Sequence, residues 1–244
     1  MSDVNVEWWS VVEKLSTIEE CCPQPAINFL PEWFKKTPPF PDETHYVKGA
    51  DIAINPDGTP HRGTVKKCPG MVELFQQGYI LPMWCDTYLQ CDGDNWNWRT
   101  PWADMECSIH KPNQFLDYAP NWVRDEVSVV FKMNSPWRVR TPPGYSIYQL
   151  PLFYNFNKDY TVPMGVQRAD IYHETNIVVL FHSKEQEIVI KRGTPLVWFV
   201  PFKREEYNYT VSEETEEYRD IRMRSDKMIQ TKFTGGYKTE RRGT

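Results

Sequence analysis

Residues 141–152 read Thr-Pro-Pro-Gly-Tyr-Ser-Ile-Tyr-Gln-Leu-Pro-Leu, and residues 187–204 read Glu-Ile-Val-Ile-Lys-Arg-Gly-Thr-Pro-Leu-Val-Trp-Phe-Val-Pro-Phe-Lys-Arg. Both segments consist of short runs of aromatic and β-branched residues separated by Pro and Gly, the pattern of strands joined by tight turns. Strands at such short spacing indicate a barrel or a sandwich rather than alternating strands and helices. The predicted strands are Tyr145–Leu152, Thr161–Val166, Asn176–Phe181, Glu187–Lys191 and Leu196–Val200.

The order of these segments resembles the second half of the dUTPase and dCTP deaminase family. Gly165, Asp170 and Tyr172 stand near the positions of that family's Gly-Val-x-Asp-x-Asp-Tyr hairpin. Residues 187–193 are similar to its alternating strand that ends in Lys-Lys-Gly. The resemblance implies a mainly β protein with a distorted β-barrel or sandwich of the dUTPase-like, β-clip type.

In that family a carboxylate on the hairpin activates water, and an aromatic ring stacks on the nucleobase. The resemblance therefore implies Asp170 as general base, Tyr172 against the base, and Mg²⁺ as cofactor with Asp51 as a weak candidate ligand. The family's Arg-Ser-Gly phosphate-binding motif is replaced here by Gln149-Leu150-Pro151. Because folds are reused without their chemistry, this loss favours a scaffold without the activity.

A second resemblance spans most of the chain. The segments Pro31–Lys35, Lys66–Pro69 and Pro201–Glu205 are similar to segments that occur in this order in an uncharacterised family encoded by tailed phages, including cyanophages. That family brings no established activity. The resemblance implies a phage-encoded protein.

The rest of the chain is expected to surround the β-rich segment. Twenty Pro residues and an aromatic fraction of 14% favour a few short helices, short strands and long proline-rich arms. The predicted domains are an N-terminal arm and strap (1–65), a β-rich core (66–204, with the dUTPase-like part at 141–204), and a charged helix with a mobile basic tail (205–244).

Three segments have patterns that predict helices, and one further segment has a pattern that predicts a strand. Val6–Cys21 has apolar residues at amphipathic spacing, Cys68–Gly78 begins with Pro69 and ends at a glycine, and Ser212–Ile229 places acidic residues before basic ones. Tyr79–Leu89 is predicted to be a buried strand.

Aromatic residues outside the core are candidates for binding. Trp33, Phe34 and Phe40 belong either to an arm that docks on a partner or to a strap packed on the protein itself. A second group has three interpretations: a core plug, a protein interface, or a stacking platform for a ligand. Its members are Trp96, Trp98 and Trp102.

The six cysteines show no recurring spacing and are expected to be free thiols. Cys85, Cys91, Cys107 and His110 are weak candidates for a zinc site. The first two are separated by more residues than zinc motifs usually allow.

A net charge of −5 argues against nucleic acid as the main partner. There is neither a signal-peptide pattern nor an apolar run of membrane-spanning length, so the protein is expected in a virion or a host cytoplasm, not secreted and not in a membrane. The prediction that follows is a non-enzymatic β-rich structural or binding protein, part of an assembly or virion, with protein partners or self-association and no cofactor. The alternative is a divergent dUTPase-like triphosphate hydrolase of the infected cell.

Overall fold

The computed structural model describes residues 4–41, 45–46, 53–54, 56–61, 63–92, 95–101, 106–182 and 187–231. Strands dominate this part of the chain, so the predicted mainly β class is confirmed. The strands are β1 Glu7–Ser10, β2 Gln24–Pro25, β3 His45–Tyr46, β4 Ala53–Ile54, β5 Pro60–His61, β6 Tyr79–Pro82, β7 Thr87–Asp92, β8 Asn95–Arg99, β9 Cys107–His110, β10 Val129–Arg140, β11 Tyr145–Leu150, β12 Tyr160–Thr161, β13 Gly165–Gln167, β14 Glu174–Phe181, β15 Glu187–Ile190 and β16 Pro195–Lys203. The helices are α1 Glu32–Lys36, α2 Pro69–Phe75, α3 Asn121–Glu126 and α4 Glu216–Thr231.

The chain divides into two compact units. The first comprises Met1–Phe29 and Gln77–Glu205, and the second comprises Leu30–Gln76 and Glu206–Thr244. The domain boundaries expected from the sequence stay a prediction. No helix in the described ranges is long and apolar enough to cross a membrane.

The first unit contains three antiparallel sheets. One has the order β1-β10-β14-β12, with β9 also paired to β10; the second has the order β13-β11-β16-β6-β2; the third has the order β15-β7-β8. Within the described residues these are separate open sheets rather than one closed barrel. Along β10 the register shifts between Asn134 and Arg138, at a bulge that contains Pro136, because proline has no N–H for the ladder.

Alternating strands build the core of the first unit. In β14, Ile177, Val179 and Phe181 are fully buried while the residues between them are half-buried. The continuous apolar run Ile177–Phe181 would suit burial on both faces, but in this antiparallel sheet one face is fully covered and the other only in part. In β15, Ile188 and Ile190 share the buried face, in keeping with the two-residue period of a strand.

Two glycines are required by the backbone. Gly144 has φ +86° at the third position of a turn that closes with Tyr145 N–H donating to Pro142 O at 3.1 Å. Gly78 has φ +65°, and a Cβ there would lie 2.1 Å from Phe199 O. The chain can therefore pass β16 at this point only with hydrogen in place of a side chain.

The predicted helix at Val6–Cys21 is wrong. Residues 7–10 form β1, which pairs with the end of β10, and short 3-10 turns follow it. The Trp8 ring lies 5.5 Å from the Phe199 ring, so burial of this aromatic side chain against the core outweighs the local helical spacing.

Three predicted strands have different bounds. Tyr79–Leu89 is divided into β6 and β7, because the chain bends between them. Thr161–Val166 is divided into β12 and β13 around Pro163. The last predicted strand, Leu196–Val200, continues to Lys203. Pro201 is tolerated within it because β6 pairs with β16 only as far as Phe199, so on that side no neighbouring strand needs the N–H that proline lacks.

The second unit contains α1, α2, α4 and the three-stranded sheet β3-β4-β5. Helices α2 and α4 agree with the predicted helices within a few residues. Phe34 of α1 is buried, with its ring 5.2 Å from that of Phe75 in α2. Lys66 Nζ lies 4.5 Å from the centre of the Phe34 ring and donates to Phe34 O at 2.9 Å.

Candidate functional site

The turn between β13 and β14 carries Asp170, the candidate general base. Its carboxylate accepts two hydrogen bonds from Arg204, Nη1 to Oδ1 at 3.0 Å and Nη2 to Oδ2 at 2.5 Å. The backbone N–H of Gly144 donates to Oδ2 at 3.0 Å. This carboxylate is thus held by a planar bidentate partner and by the proline-glycine turn.

The hydrogen bonds from Arg204 make Asp170 a weak base. Its side chain is 7% exposed and that of Arg204 is 29% exposed. The hydrogen bonds from Arg204, with a further one from the Gly144 N–H, lower the pKa of Asp170 to about 2, although burial acts in the opposite direction. A general base works best with a pKa near the working pH, so this environment does not favour proton abstraction by Asp170.

Arg204 connects three segments of the first unit. Its Nη1 also donates to Tyr145 O at 2.9 Å and to Ser146 Oγ at 2.8 Å, and its backbone N–H donates to Gly144 O at 2.8 Å. The ion pair with Asp170 therefore fastens the turn before β14 to the start of β11 and to the end of β16. We call Asp170 and Arg204 with these contacts the Asp170–Arg204 clamp.

Tyr172 lies two residues from Asp170 but has separate partners. Its hydroxyl donates to Glu174 Oε2 at 3.1 Å and accepts from Asn176 Nδ2 at 2.8 Å. Gln167 Nε2 donates to Tyr172 O at 2.9 Å and to Glu174 O at 3.0 Å. The ring is about half exposed, and its hydroxyl belongs to a local network that holds the turn.

Asp51, the third residue of the enzymatic hypothesis, lies outside the described residues.

His173, in the turn before β14, is placed between two backbone carbonyls, with Nδ1 3.0 Å from Ala169 O and 3.2 Å from Val139 O. Its ring lies 5.6 Å from that of Trp9. These contacts assign the imidazole to the packing of the turn.

The structure does not gather the zinc candidates. In the part of the chain that is described, no group of three His, Cys, Asp or Glu side chains is arranged to hold a metal ion. Burial raises the pKa of Cys85 to about 11 and that of Cys107 to about 12. Both groups therefore favour the thiol over the metal-binding thiolate. Cys91 and His110 are half-buried.

The aromatic candidates of the arm have different surroundings. Phe34 is buried within the second unit, so its ring packs inside this protein and is not accessible to a partner. Trp33 is half-buried with its ring 5.7 Å from that of Phe34. Lys67 Nζ lies 4.9 Å from the centre of the Phe40 ring.

Trp96 and Trp98 are two residues apart and lie on the same face of β8. Trp98 pairs with the buried Leu89 in the β7–β8 register, and its ring lies 5.6 Å from that of Phe131. Trp96 is partly buried against the same core, and Trp98 keeps 40% of its surface exposed. Trp102 lies outside the described residues.

Sequence reasoning missed the partner of Asp170 and one aromatic cluster. Arg204 is 34 residues away from Asp170, so no local spacing could indicate the pair. The cluster comprises Phe153, Tyr154 and Phe156, whose ring centres lie 5.3 to 6.5 Å apart. Phe153 and Phe156 are mostly exposed. The succession of aromatics at 153–156 was a signal that could have found them.

No family model matches the chain, and no curated protein matches it in sequence. Among solved structures, its neighbours include phage dUTPases. A point mutant of the Staphylococcus bacteriophage 80alpha dUTPase has 12% identity, covers 58% of this chain and 85% of its own, and gives a TM-score of 0.32. A mutant dUTPase from phage phi11 of S. aureus, described for its coordination of a structural Mg(II) ion, has 11% identity. The match covers 57% of this chain and 85% of that dUTPase, with a TM-score of 0.31. No residue role follows from a likeness this distant.

Proposed function

We propose that this chain is a non-enzymatic, phage-encoded β-rich protein that acts as a structural or binding component of an assembly. The observation that carries the proposal is the Asp170–Arg204 clamp. In the dUTPase-like alternative a carboxylate accepts a proton from water, and here the candidate carboxylate is neutralised by a guanidinium. Its contacts serve to hold three chain segments together.

Two features of the sequence support the loss of chemistry. Counted from Gly165, the Gly-Val-x-Asp-x-Asp-Tyr pattern places Arg168 at the first aspartate position. Arg168 is exposed, and a guanidinium cannot act as a base at neutral pH. The Arg-Ser-Gly motif is also replaced by Gln149-Leu150-Pro151.

Exposed aromatic surface supports a role in association. Besides the cluster at 153–156, Tyr148 of β11 stacks on Phe202 of β16, with ring centres 4.0 Å apart and planes at 18°. Val166 of the edge strand β13 pairs directly with Tyr148 and is largely exposed. Contiguous apolar surface of this kind on a folded protein is typical of interaction sites. We expect protein partners or self-association.

A screen for phosphate release from the deoxynucleoside triphosphates, with Mg²⁺ present, tests the proposal. We expect no release above a protein-free control, and no difference between the natural protein and Asp170→Asn. Release that is lost in Asp170→Asn would overturn the proposal in favour of the hydrolase. Mass spectrometry of purified particles of the encoding phage would show whether the protein is packaged in them. The solution mass of the protein would show whether it self-associates.

A further inference from the structure

A cavity of about 650 Å³ lies in the first unit, at one end of the sheet β15-β7-β8. Trp84 and Cys85, both buried, form part of its lining, and Ile18 and Pro101 add apolar surface. Its charged lining residues are Asp86, Arg99 and Arg192. Apolar walls with a few charged groups are the usual composition of a small-molecule site.

Cations are concentrated around Tyr88, which also lines the cavity. Arg99 pairs with Tyr88 across β7 and β8, and its guanidinium carbon lies 5.2 Å from the centre of the Tyr88 ring. Lys191 Nζ lies 5.5 Å from the same ring centre. Arg192, the next residue, is the third cation at this end of the sheet.

Two carboxylates accompany these three cations. Asp86 accepts from the Arg192 N–H at 2.8 Å and lies 3.4 Å from Lys191 Nζ. Glu20 lies 2.7 Å from Arg192. In the described part of the chain, Arg99 has no carboxylate within ion-pair distance. One positive charge is thus in excess here, although the chain as a whole carries −5.

Trp84 forms part of the inner wall of the cavity. Its side chain is fully buried, and its indole Nε1–H finds no acceptor among the described residues. A buried donor without an acceptor costs the free energy of its lost hydration.

We propose that this cavity binds a small organic anion, a carboxylate or phosphate monoester carried on a flat apolar body. Arg99 binds the anionic group, since its guanidinium matches a carboxylate or a phosphate with paired hydrogen bonds. Ile18 and Pro101 contact the apolar body. This site is separate from the Asp170–Arg204 clamp and does not depend on whether the chain is an enzyme.

Titration calorimetry with phenyl phosphate and with benzoate tests the proposal, and benzyl alcohol serves as the uncharged counterpart. We expect saturable one-to-one binding of at least one anion, and the anion that binds assigns the ligand class. Arg99→Gln is expected to weaken binding about tenfold, the loss of one charge-assisted contact. Arg124→Gln, an exposed arginine on α3 outside the cavity lining, is the matched control and is expected to bind like the natural protein.

Trp84→Phe keeps a flat ring in the cavity wall and leaves Arg99 in place, so we expect it to bind the anion as the natural protein does. If this core variant does not fold, which circular dichroism would show, the exposed Arg99→Gln carries the test alone. Absence of binding by both anions at millimolar concentration overturns the proposal. Equal weakening by Arg99→Gln and Arg124→Gln, or equal binding of benzyl alcohol, also overturns it.

Discussion

The guanidinium of Arg204 donates to both carboxylate oxygens of Asp170, from Nη1 at 3.0 Å and from Nη2 at 2.5 Å. The pair joins the turn before β14 to the end of β16 and is mostly shielded from water. The sequence resemblance implies a base at this position, and the geometry gives it a structural partner. Substitution of Asp170 is therefore expected to change the free energy of unfolding and not the rate of a reaction.

Asp170→Asn keeps the size of the side chain and removes the charge that Arg204 binds. We expect the free energy of unfolding to fall by about 1–3 kcal/mol, the range for leaving a charge-assisted hydrogen bond unmade. Urea denaturation followed by tryptophan fluorescence measures this change.

Asp125→Asn on α3 is the matched control, because Asp125 is exposed and has no ion pair in the described structure. It is expected to change the unfolding free energy by less than about 0.5 kcal/mol. In a double-mutant cycle with Arg204→Gln, the effects of the two clamp variants should be far from additive. Additive effects would contradict a direct interaction.

The same pair predicts an acid-sensitive component of stability. Arg204 lowers the pKa of Asp170 to about 2 in the folded protein, whereas an unfolded aspartate titrates near about 3.9. The unfolded chain therefore binds the proton first, so the stabilisation is present above about pH 4 and is lost as the pH falls towards about 2.

Unfolding curves at a series of pH values between neutral and acid conditions measure this component. The natural protein should lose stability more steeply over that interval than Asp170→Asn, whose side chain does not titrate. Parallel profiles for the two proteins would show that Asp170 contributes nothing to the pH dependence.

The sequence was most informative where local pattern decides structure. The Pro142–Tyr145 turn follows from the conformations of Pro and Gly, and the alternation of Ile188 and Ile190 follows from the two-residue period of a strand. Contacts between distant residues leave no such signal. Residues 7–10 form a strand despite their helical spacing, because the Trp8 ring packs near Phe199. Arg204 could not be matched to Asp170 by any local rule, because the two residues are 34 positions apart.

Phe131 of β10 tests the core of the first unit. Its side chain is fully buried, and its ring lies 5.6 Å from that of Trp98 and 6.3 Å from that of Phe181. Phe131→Ala is expected to lower the free energy of unfolding by about 3–5 kcal/mol, from lost burial and the cavity left behind. Phe153→Ala is the control, because its ring is 70% exposed. A similar loss for both variants in urea denaturation would contradict the assigned core.

Gly78 makes the sharpest prediction about the backbone. A Cβ at this position would lie 2.1 Å from Phe199 O and 2.9 Å from Val200 Cα, and φ is +65°. Both atoms belong to the main chain of β16, so no side-chain rotation can relieve the contact. Gly78→Ala is therefore expected to lower the free energy of unfolding by well over about 1 kcal/mol.

Gly165→Ala in β13 separates this effect from a general cost of replacing glycine. A Cβ at Gly165 meets no atom within 4 Å, and its φ is not positive. Its substitution should leave the thermal midpoint nearly unchanged, because nothing opposes the added methyl group. If Gly78→Ala melted as the Gly165→Ala protein does, the close passage of residue 78 against β16 would be incorrect, and with it the pairing of β6 to that strand.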